Sequence, residues 1–391
     1  MITLTEARRT IAEKFRPRAA ETVPLAEALG RVLAAEIKAD AAYPAADRSM
    51  MDGYAISAED HSERFKVVGE IAAGSVPDFT LQRGECARIF TGAELPAGAS
   101  QVIMQEETER EGEWMRPRQR PRQLFVRKRG VEAETGTVVL APGTRLGPAD
   151  LAILAQVGAV HVPVVPAARV SHIATGDELI PPTGQPVPRG KIRDTNSALL
   201  AGLLAQTASH LILQSRCGDD PARLAHWIAE SHEADVLLIS GGASVGDYDF
   251  GARVLTEAGF TIHFDKINLR PGKPLIFATR GAQAAFVIPG NPVSHFVCFH
   301  VAIRQALEVL QGLPPSAELN LVYAELGGTE TLRGDLRETY WPAQLTVQGC
   351  LVAVPRRWSS SGDTFSLAGT NALLQVKTDT APGQMVPALL L

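Results

Sequence analysis

The rhythm of hydrophobic and polar positions changes several times along the chain. In the first 40 residues the spacing is helical: "TEARRTIAEKF" runs towards Pro17, and "PLAEALGRVLAAEI" sets Leu25, Leu29, Val32 and Leu33 on one face. Two helices are expected there. From about residue 45 to 130 the pattern shortens to β-rich runs cut by Gly and Pro, among them "FKVVGEI", "ECARIFT", "SQVIMQEE" and "QLFVRKR". That stretch predicts a small, mostly β domain. "PADLAILAQVGAVHVPV" (148–164) then predicts a helix closed by Gly158 and a strand that returns the chain to the body begun by the first helices.

Residues 168–312 alternate strand and helix. Their strands, such as "DVLLIS" and "AAFVI", are uninterrupted apolar runs, as in a sheet covered on both faces. After "GLPPSAE" short strands resume: "LNLVYAEL", "RETYWPAQLTV", "CLVAVPRRW", "NALLQVKT". The expected fold class is α/β plus β. It has a helical linker body (1–44 and 131–167), an inserted β-rich domain (45–130), a three-layer α/β domain (168–312) and a C-terminal β-barrel-like domain (313–391).

Composition narrows the function. The 391 residues are 45% apolar and 21% charged, which leaves room for several cores. A formal charge of −5 disfavours a general nucleic-acid binder, although "RPRQRPRQLFVRKRG" (116–130) is a local basic run that reads first as a solvated hairpin. Cys86, Cys217, Cys298 and Cys350 are widely spaced with no C-x-x-C, so neither a zinc knuckle nor a thioredoxin-like site is expected, and scattered thiols suit a reducing compartment. The charged, amphipathic start is unlike a signal peptide, and no apolar run approaches the ~18 residues of a membrane span. A cytoplasmic protein without a membrane partner is expected.

The chemistry should sit where ligands bind in open α/β sheets, beyond the carboxyl ends of the strands. "ARVSHIAT" runs into Gly176, Asp177 and Glu178, and "AAFVI" runs into Pro289, Gly290 and Asn291, with Ser294 just inside a helix. "DVLLIS" runs into "GGASVGDYD", where Gly241, Gly242 and Ser244 are followed by Asp247 and Asp249. That loop has glycine spacing suited to phosphate, but Asp247 stands where a P-loop needs Lys. Two readings of its acids are open: a tight turn with solvated carboxylates, or ligands of a metal that bridges a phosphate. Asp194 at the start of the next helix could join Glu178 and Asp249 around Mg²⁺. "LRPGKPLIF" offers Arg270 and Lys273 on a turn stiffened by Pro271 and Pro274, with Lys266 upstream, either as a solvated basic loop or as an oxyanion clamp. Asp52 in "DRSMMDGYAI" and Thr91 in "RIFTGAELPAG" are turn residues or groups facing a neighbouring site; His295 and His300 read as structural or surface residues.

In their order, "SMMDGYAI", "RIFTGAELPAGAS", "TGDEL", "RDTN", "GGASVGDYD", "RPGKP" and "PGNPVS" resemble the molybdopterin molybdenumtransferases, of MoeA type and including the E domain of gephyrin. The resemblance covers essentially the whole chain. It implies that the α/β domain binds molybdopterin, and that the enzyme inserts molybdate into adenylylated molybdopterin, with Mg²⁺, releasing AMP and molybdenum cofactor. It implies a homodimer whose cleft is shared between the α/β domain of one subunit and the insertion of the other, so that Asp52 and Thr91 would reach across. Glu178, Asp194 and Asp249 would be the acids near metal and phosphates. Lys266, Arg270, Lys273, Pro274 and Ser294 would hold phosphate or molybdate, and Arg337 and Ser361 would complete the anion site, with Arg333 an alternative to Arg337. Partners implied are an upstream molybdopterin adenylyltransferase and downstream molybdoenzymes or their chaperones. Two other functions remain open: a molybdopterin adenylyltransferase, and a non-catalytic scaffold of the gephyrin kind.

Overall fold

The computed structural model describes residues 1–242 and 249–391, with the side chain of Asp249 also left out. Ser244 and Asp247, named above, therefore lie outside the described residues, as does the Asp249 carboxylate.

Helix α1 (Leu4–Lys14) opens the chain, with Thr3 and Glu6 forming a reciprocal capping box. It buries Leu4, Ala7 and Ile11 in the core of the α/β domain, and Arg8 reaches further in to donate to the Val301 carbonyl at 2.7 Å. The helix thus packs with the α/β body and not with the linker expected for residues 1–44. The second expected helix does not form. Leu25–Glu27 is a single 3₁₀ turn and Val32–Leu33 is a strand. Gly30 takes φ +75, Leu29 is exposed, and Val32 and Leu33 pair with Val165 and Val164. Strand pairing across some 130 residues of sequence outweighs the weak helical preference of an Ala-rich stretch. The linker is consequently a small sheet, with His161–Val165 between Glu21–Pro24 and Val32–Leu33, packed against helix α2 (Pro148–Gln156).

The β insertion is a six-stranded sheet. Gly53–Ile56 lies between Gln101–Met104 and Glu85–Ile89, and Phe65–Ile71, Trp114–Pro117 and Thr108–Glu111 follow outwards. Gly53 is required by its register: a Cβ there would lie 1.9 Å from the Ile103 carbonyl oxygen, a backbone atom that cannot move aside. Gly53→Ala should cost at least about 3 kcal/mol, within the range for severe overpacking. A lowered urea midpoint and faster proteolysis of this domain are the checks. The basic run is held locally, as Arg118 pairs with Glu109, Arg127 with Glu132 and Lys128 with Asp47.

The α/β domain contains β1 (Arg169–Thr175), α3 (Thr195–Ala205), β2 (His210–Cys217), α4 (Pro221–Glu230), β3 (Val236–Ser240), α5 (Asp249–Glu257), β4 (Thr261–Phe264), β5 (Ile276–Arg280), β6 (Gln283–Ile288) and the long helix α6 (Pro292–Leu310). The sheet order is β2-β1-β3-β6-β5-β4, parallel over the first four strands and antiparallel over the last two. Alternate residues of β3 divide the two cores. Val236 and Leu238 meet α1, α3 and α6, whereas Leu237 and Ile239 meet α4 and α5. Among the described residues α6 is the one helix long and apolar enough to cross a membrane, but it is almost wholly buried in this domain.

In the C-terminal domain, β7 (Leu321–Leu326), β8 (Glu338–Gln348), β9 (Cys350–Pro355), β10 (Ala372–Val376) and β11 (Met385–Leu390) run in the order β8-β9-β7-β11-β10. The sheet closes through β8–β10 pairing into a five-stranded barrel. Leu269–Arg270 adds a short parallel rung to β8, which ties the barrel to the α/β domain.

Candidate active site

A cleft of about 1600 Å³ opens beyond the carboxyl ends of β1, β3 and β6 and is walled on its far side by the barrel. Each loop contributes for a local reason. Gly241 and Gly242 adopt positive φ values of +94 and +68, and a Cβ on Gly241 would lie 2.6 Å from both the Thr175 carbonyl and its hydroxyl. Only glycine lets the strand end turn this close to its neighbour. Gly176 (φ +145), Pro289, Gly290 and Asn291 complete this floor.

Asp194 is the N-cap of α3. Its Oδ1 accepts from the Ser197 amide at 3.0 Å, its Oδ2 accepts from the Ser197 hydroxyl at 2.6 Å, and Arg216 lies 3.6 Å away. It is buried yet lines the cleft, as does the exposed Glu178. No three His, Cys, Asp or Glu side chains among the described residues gather into a ready-made cation cage. Two carboxylates lining one cleft nevertheless suit Mg²⁺ where a bound phosphate and waters would fill the remaining positions. Asp177 is at the rim, where its Oδ1 accepts from the Asp219 amide at 3.2 Å.

The basic turn meets the barrel across the cleft. Arg270, Lys273, Pro274, Ser294, Arg337 and Ser361 all line it. Lys273 is exposed and makes no side-chain hydrogen bond or ion pair among the described residues. Arg270 donates to Asp335 Oδ2 at 2.6 Å and Arg337 to the same oxygen at 3.1 Å. These contacts hold the Asp335 carboxyl well below the usual carboxylate range, the hydrogen bonds from Arg337 contributing most. Arg333, the alternative, turns away to Asp379 on the surface. Ser294 is the third residue of α6, not its cap. Asn291 holds the cap position and donates its side-chain amide to the Ser361 hydroxyl at 2.8 Å. Lys266 lies 3.6 Å from Asp265 and is not among the residues that line the cleft.

Asp52 and Thr91 lie outside this chain's cleft, exposed on the β insertion. Asp52 Oδ1 accepts from both the amide and the hydroxyl of Thr91, each at 2.7 Å. That pairing keeps Asp52 ionised below its ordinary pKa.

Several residues of the site were not singled out in the sequence. Asn196 braces the floor by donating to the Gly290 carbonyl at 2.6 Å, and its place in "RDTN" was a usable signal. Trp341, Trp358 and Phe365 form an aromatic stretch of the barrel-side wall. Asp335 had no signal, since an acid in "RGDLRE" reads as an ordinary turn residue.

Beneath the floor lies a buried histidine layer. His172 Nε2 meets the Ser240 hydroxyl at 2.7 Å, and His295 Nδ1 meets it at 3.4 Å. Of the two expected roles for His295 and His300, structural or surface, the buried one holds. Burial pushes His172 down to about 4 and both His295 and His300 down to about 3. The unfolded chain, at its ordinary value near 6.5, binds protons that the folded one refuses. Stability is therefore full above about pH 6.5 and falls as pH drops towards the folded values, by up to about 1.4 kcal/mol per pH unit for each histidine. Neither ring nitrogen of His300 has a partner among the described residues, and the ring packs on Phe296 and Phe299. His300→Phe should flatten the slope of urea midpoint against pH between 7 and 5 without loss of stability at pH 7.

Comparison with known proteins places the chain. Residues 2–158 match the MoeA N-terminal region (domains I and II), residues 171–309 the probable molybdopterin binding domain, and residues 329–391 the MoeA C-terminal region (domain IV). A molybdopterin molybdenumtransferase of Nostoc sp. is 38% identical over 368 residues, covering 90% of this chain and 84% of the relative. This chain belongs to the MoeA family of molybdopterin molybdenumtransferases. The Bacillus subtilis member is 32% identical, with 95% of this chain and 89% of the relative covered. The crystal structure of the molybdopterin biosynthesis MoeA protein of Pyrococcus horikoshii superposes with a TM-score of 0.84 at 30% identity over the full length of both chains. The function is accordingly that of a transferase of molybdenum cofactor biosynthesis acting on molybdopterin, and the multidomain architecture is that of MoeA.

Proposed function

We propose that the cleft binds adenylylated molybdopterin and molybdate together and inserts the metal with release of AMP. The observation that carries this reading is that one wall offers bent glycine amides and carboxylates while the facing wall offers the cations of Arg270, Lys273 and Arg337. The first wall suits a phosphate chain and the second a tetrahedral dianion, despite a net negative protein. Mg²⁺ held by Glu178 and Asp194, with Asp249 as a third candidate, would withdraw charge from the phosphoanhydride. Ser294 and Ser361 would orient the oxyanion through their hydroxyls, and Lys273 would hold its charge. A cytoplasmic homodimer is part of the proposal, receiving substrate from a molybdopterin adenylyltransferase and delivering cofactor to molybdoenzymes or their chaperones.

The direct test supplies purified protein with adenylylated molybdopterin, molybdate and Mg²⁺ and follows AMP. Absence of AMP release, or turnover of ATP with free molybdopterin instead, would sink the reading. The shared cleft has its own test. Asp52→Ala and Lys273→Ala proteins, each inactive, are unfolded together and refolded as a mixture. Hybrid dimers regain one intact cleft, so activity should return to about a quarter of wild type, as random pairing of a two-fold dimer requires. No recovery would place Asp52 and Lys273 in the same chain's cleft, whereas an Asp52→Ala protein active on its own would put Asp52 outside the site.

A further inference from the structure

Arg270 and Arg337 come from different domains yet point at one atom. Arg270 Nη1 lies 2.6 Å from Asp335 Oδ2, and Arg337 Nη2 lies 3.1 Å from that same oxygen. The other oxygen, Oδ1, accepts the Arg337 backbone amide at 3.2 Å. Both arginines line the cleft, and Asp335, which is not itself among the lining residues, draws both guanidinium groups to one oxygen, the arrangement two arginines take around an oxyanion. The loop bearing that carboxylate is anchored on both sides. Leu332 and Thr380 exchange backbone bonds of 2.9 Å, Gly334 donates to Asp379 at 2.8 Å, and Glu338 donates to the Asn268 carbonyl at 3.1 Å. Between those anchors Leu336 is 99% exposed, so the loop tip has little packing to hold it.

We propose that Asp335 is an internal counter-ion that occupies the oxyanion subsite of Arg270 and Arg337 and that the incoming tetrahedral dianion must displace. This rests on the reading that those arginines receive the oxyanion. Asp335 is a positioning and selectivity residue in this account. It holds two cations ready in a cleft that would otherwise collect any ambient anion, and it sets a threshold that a dianion exceeds and a monoanion does not. Its charge is fixed throughout the working pH range, because the two arginines keep it ionised. The device therefore answers to anion charge and concentration and not to pH.

The test is isothermal titration of molybdate into full-length protein, wild type against Asp335→Asn, with sulfate as a second dianion. Removing the competing charge while keeping the side chain's shape should tighten binding of both dianions by about tenfold or more, as for loss of a charge-assisted competitor. In turnover, KM for molybdate should fall and kcat should fall with it, because the more tightly held oxyanion is slower to pass from the arginines to molybdopterin. A merely structural Asp335 would give the opposite sign: Asp335→Asn would bind molybdate equally or more weakly, and that result overturns the proposal. Arg270→Ala and Arg337→Ala separate the two layers of the argument. If both leave molybdate affinity unchanged, the clamp reading itself fails. If both weaken it while Asp335→Asn also weakens it, only the counter-ion role fails. Should Asp335→Asn not fold, as judged by near-UV circular dichroism, Asp335→Ser removes the same charge and carries the same expectation.

Discussion

Lys273→Ala should lower molybdenum insertion at least about a hundredfold, the scale of removing one preorganised charge from an oxyanion site, while leaving the melting temperature unchanged. Both halves of this expectation come from the same facts. The ammonium is exposed in the cleft and, among the described residues, holds no ion-pair partner, so the fold loses nothing when it is removed. The site loses a charge that no acid among the described residues offsets. Arg270→Ala should cost less in rate, because Asp335 already neutralises part of that guanidinium. Single-turnover AMP release with thermal melts on the same preparations checks both variants. Equal rates for Lys273→Ala and wild type would remove the lysine from the site.

Asp194→Ser should separate two roles that one carboxylate carries. As N-cap of α3, Asp194 accepts from the Ser197 amide at 3.0 Å, and a serine hydroxyl can do the same. Stability should then change by under about 1 kcal/mol, where Asp194→Ala would lose the cap outright. In the role proposed for Asp194 beside substrate phosphates serine is no replacement, and activity should fall about a hundredfold or more with weakened dependence on Mg²⁺. A Ser variant with near wild-type turnover would leave Asp194 a cap and nothing more.

Much of this was legible in the sequence because backbone demands leave marks. Gly176, Gly241, Gly242 and Gly290 punctuate strand ends, and the uninterrupted apolar strands fix the α/β sheet and hence the edge where its loops converge. What escaped was decided between distant segments. The stretch 24–37 has helical spacing, but Gly30 and the pairing of Val32 and Leu33 with Val165 and Val164 impose strands. Helix α1 was visible as a helix, but its docking on α6 through Arg8 was not. Asp335 is the clearest case in the site. Its role exists only because the barrel brings it against Arg270, some 65 residues away in sequence, and no local pattern encodes that meeting. Asp52 and Thr91 were marked by their motifs, and their mutual hydrogen bonds fix their geometry without bringing them into this chain's cleft.

The barrel loop bearing Ser361 touches the α/β domain through the Asn291–Ser361 hydrogen bond at 2.8 Å and the Val293 amide to Ser361 carbonyl bond at 3.0 Å. The turn that follows adds Leu367, packed against the α/β core, so this edge is closed by two hydrogen bonds and one apolar contact. Floor and clamp are built on rigid strands and on proline-stiffened turns, whereas this edge is fastened lightly. The barrel-side edge of the cleft can thus adjust to its occupant while the strands and turns that would recognise it stay in place.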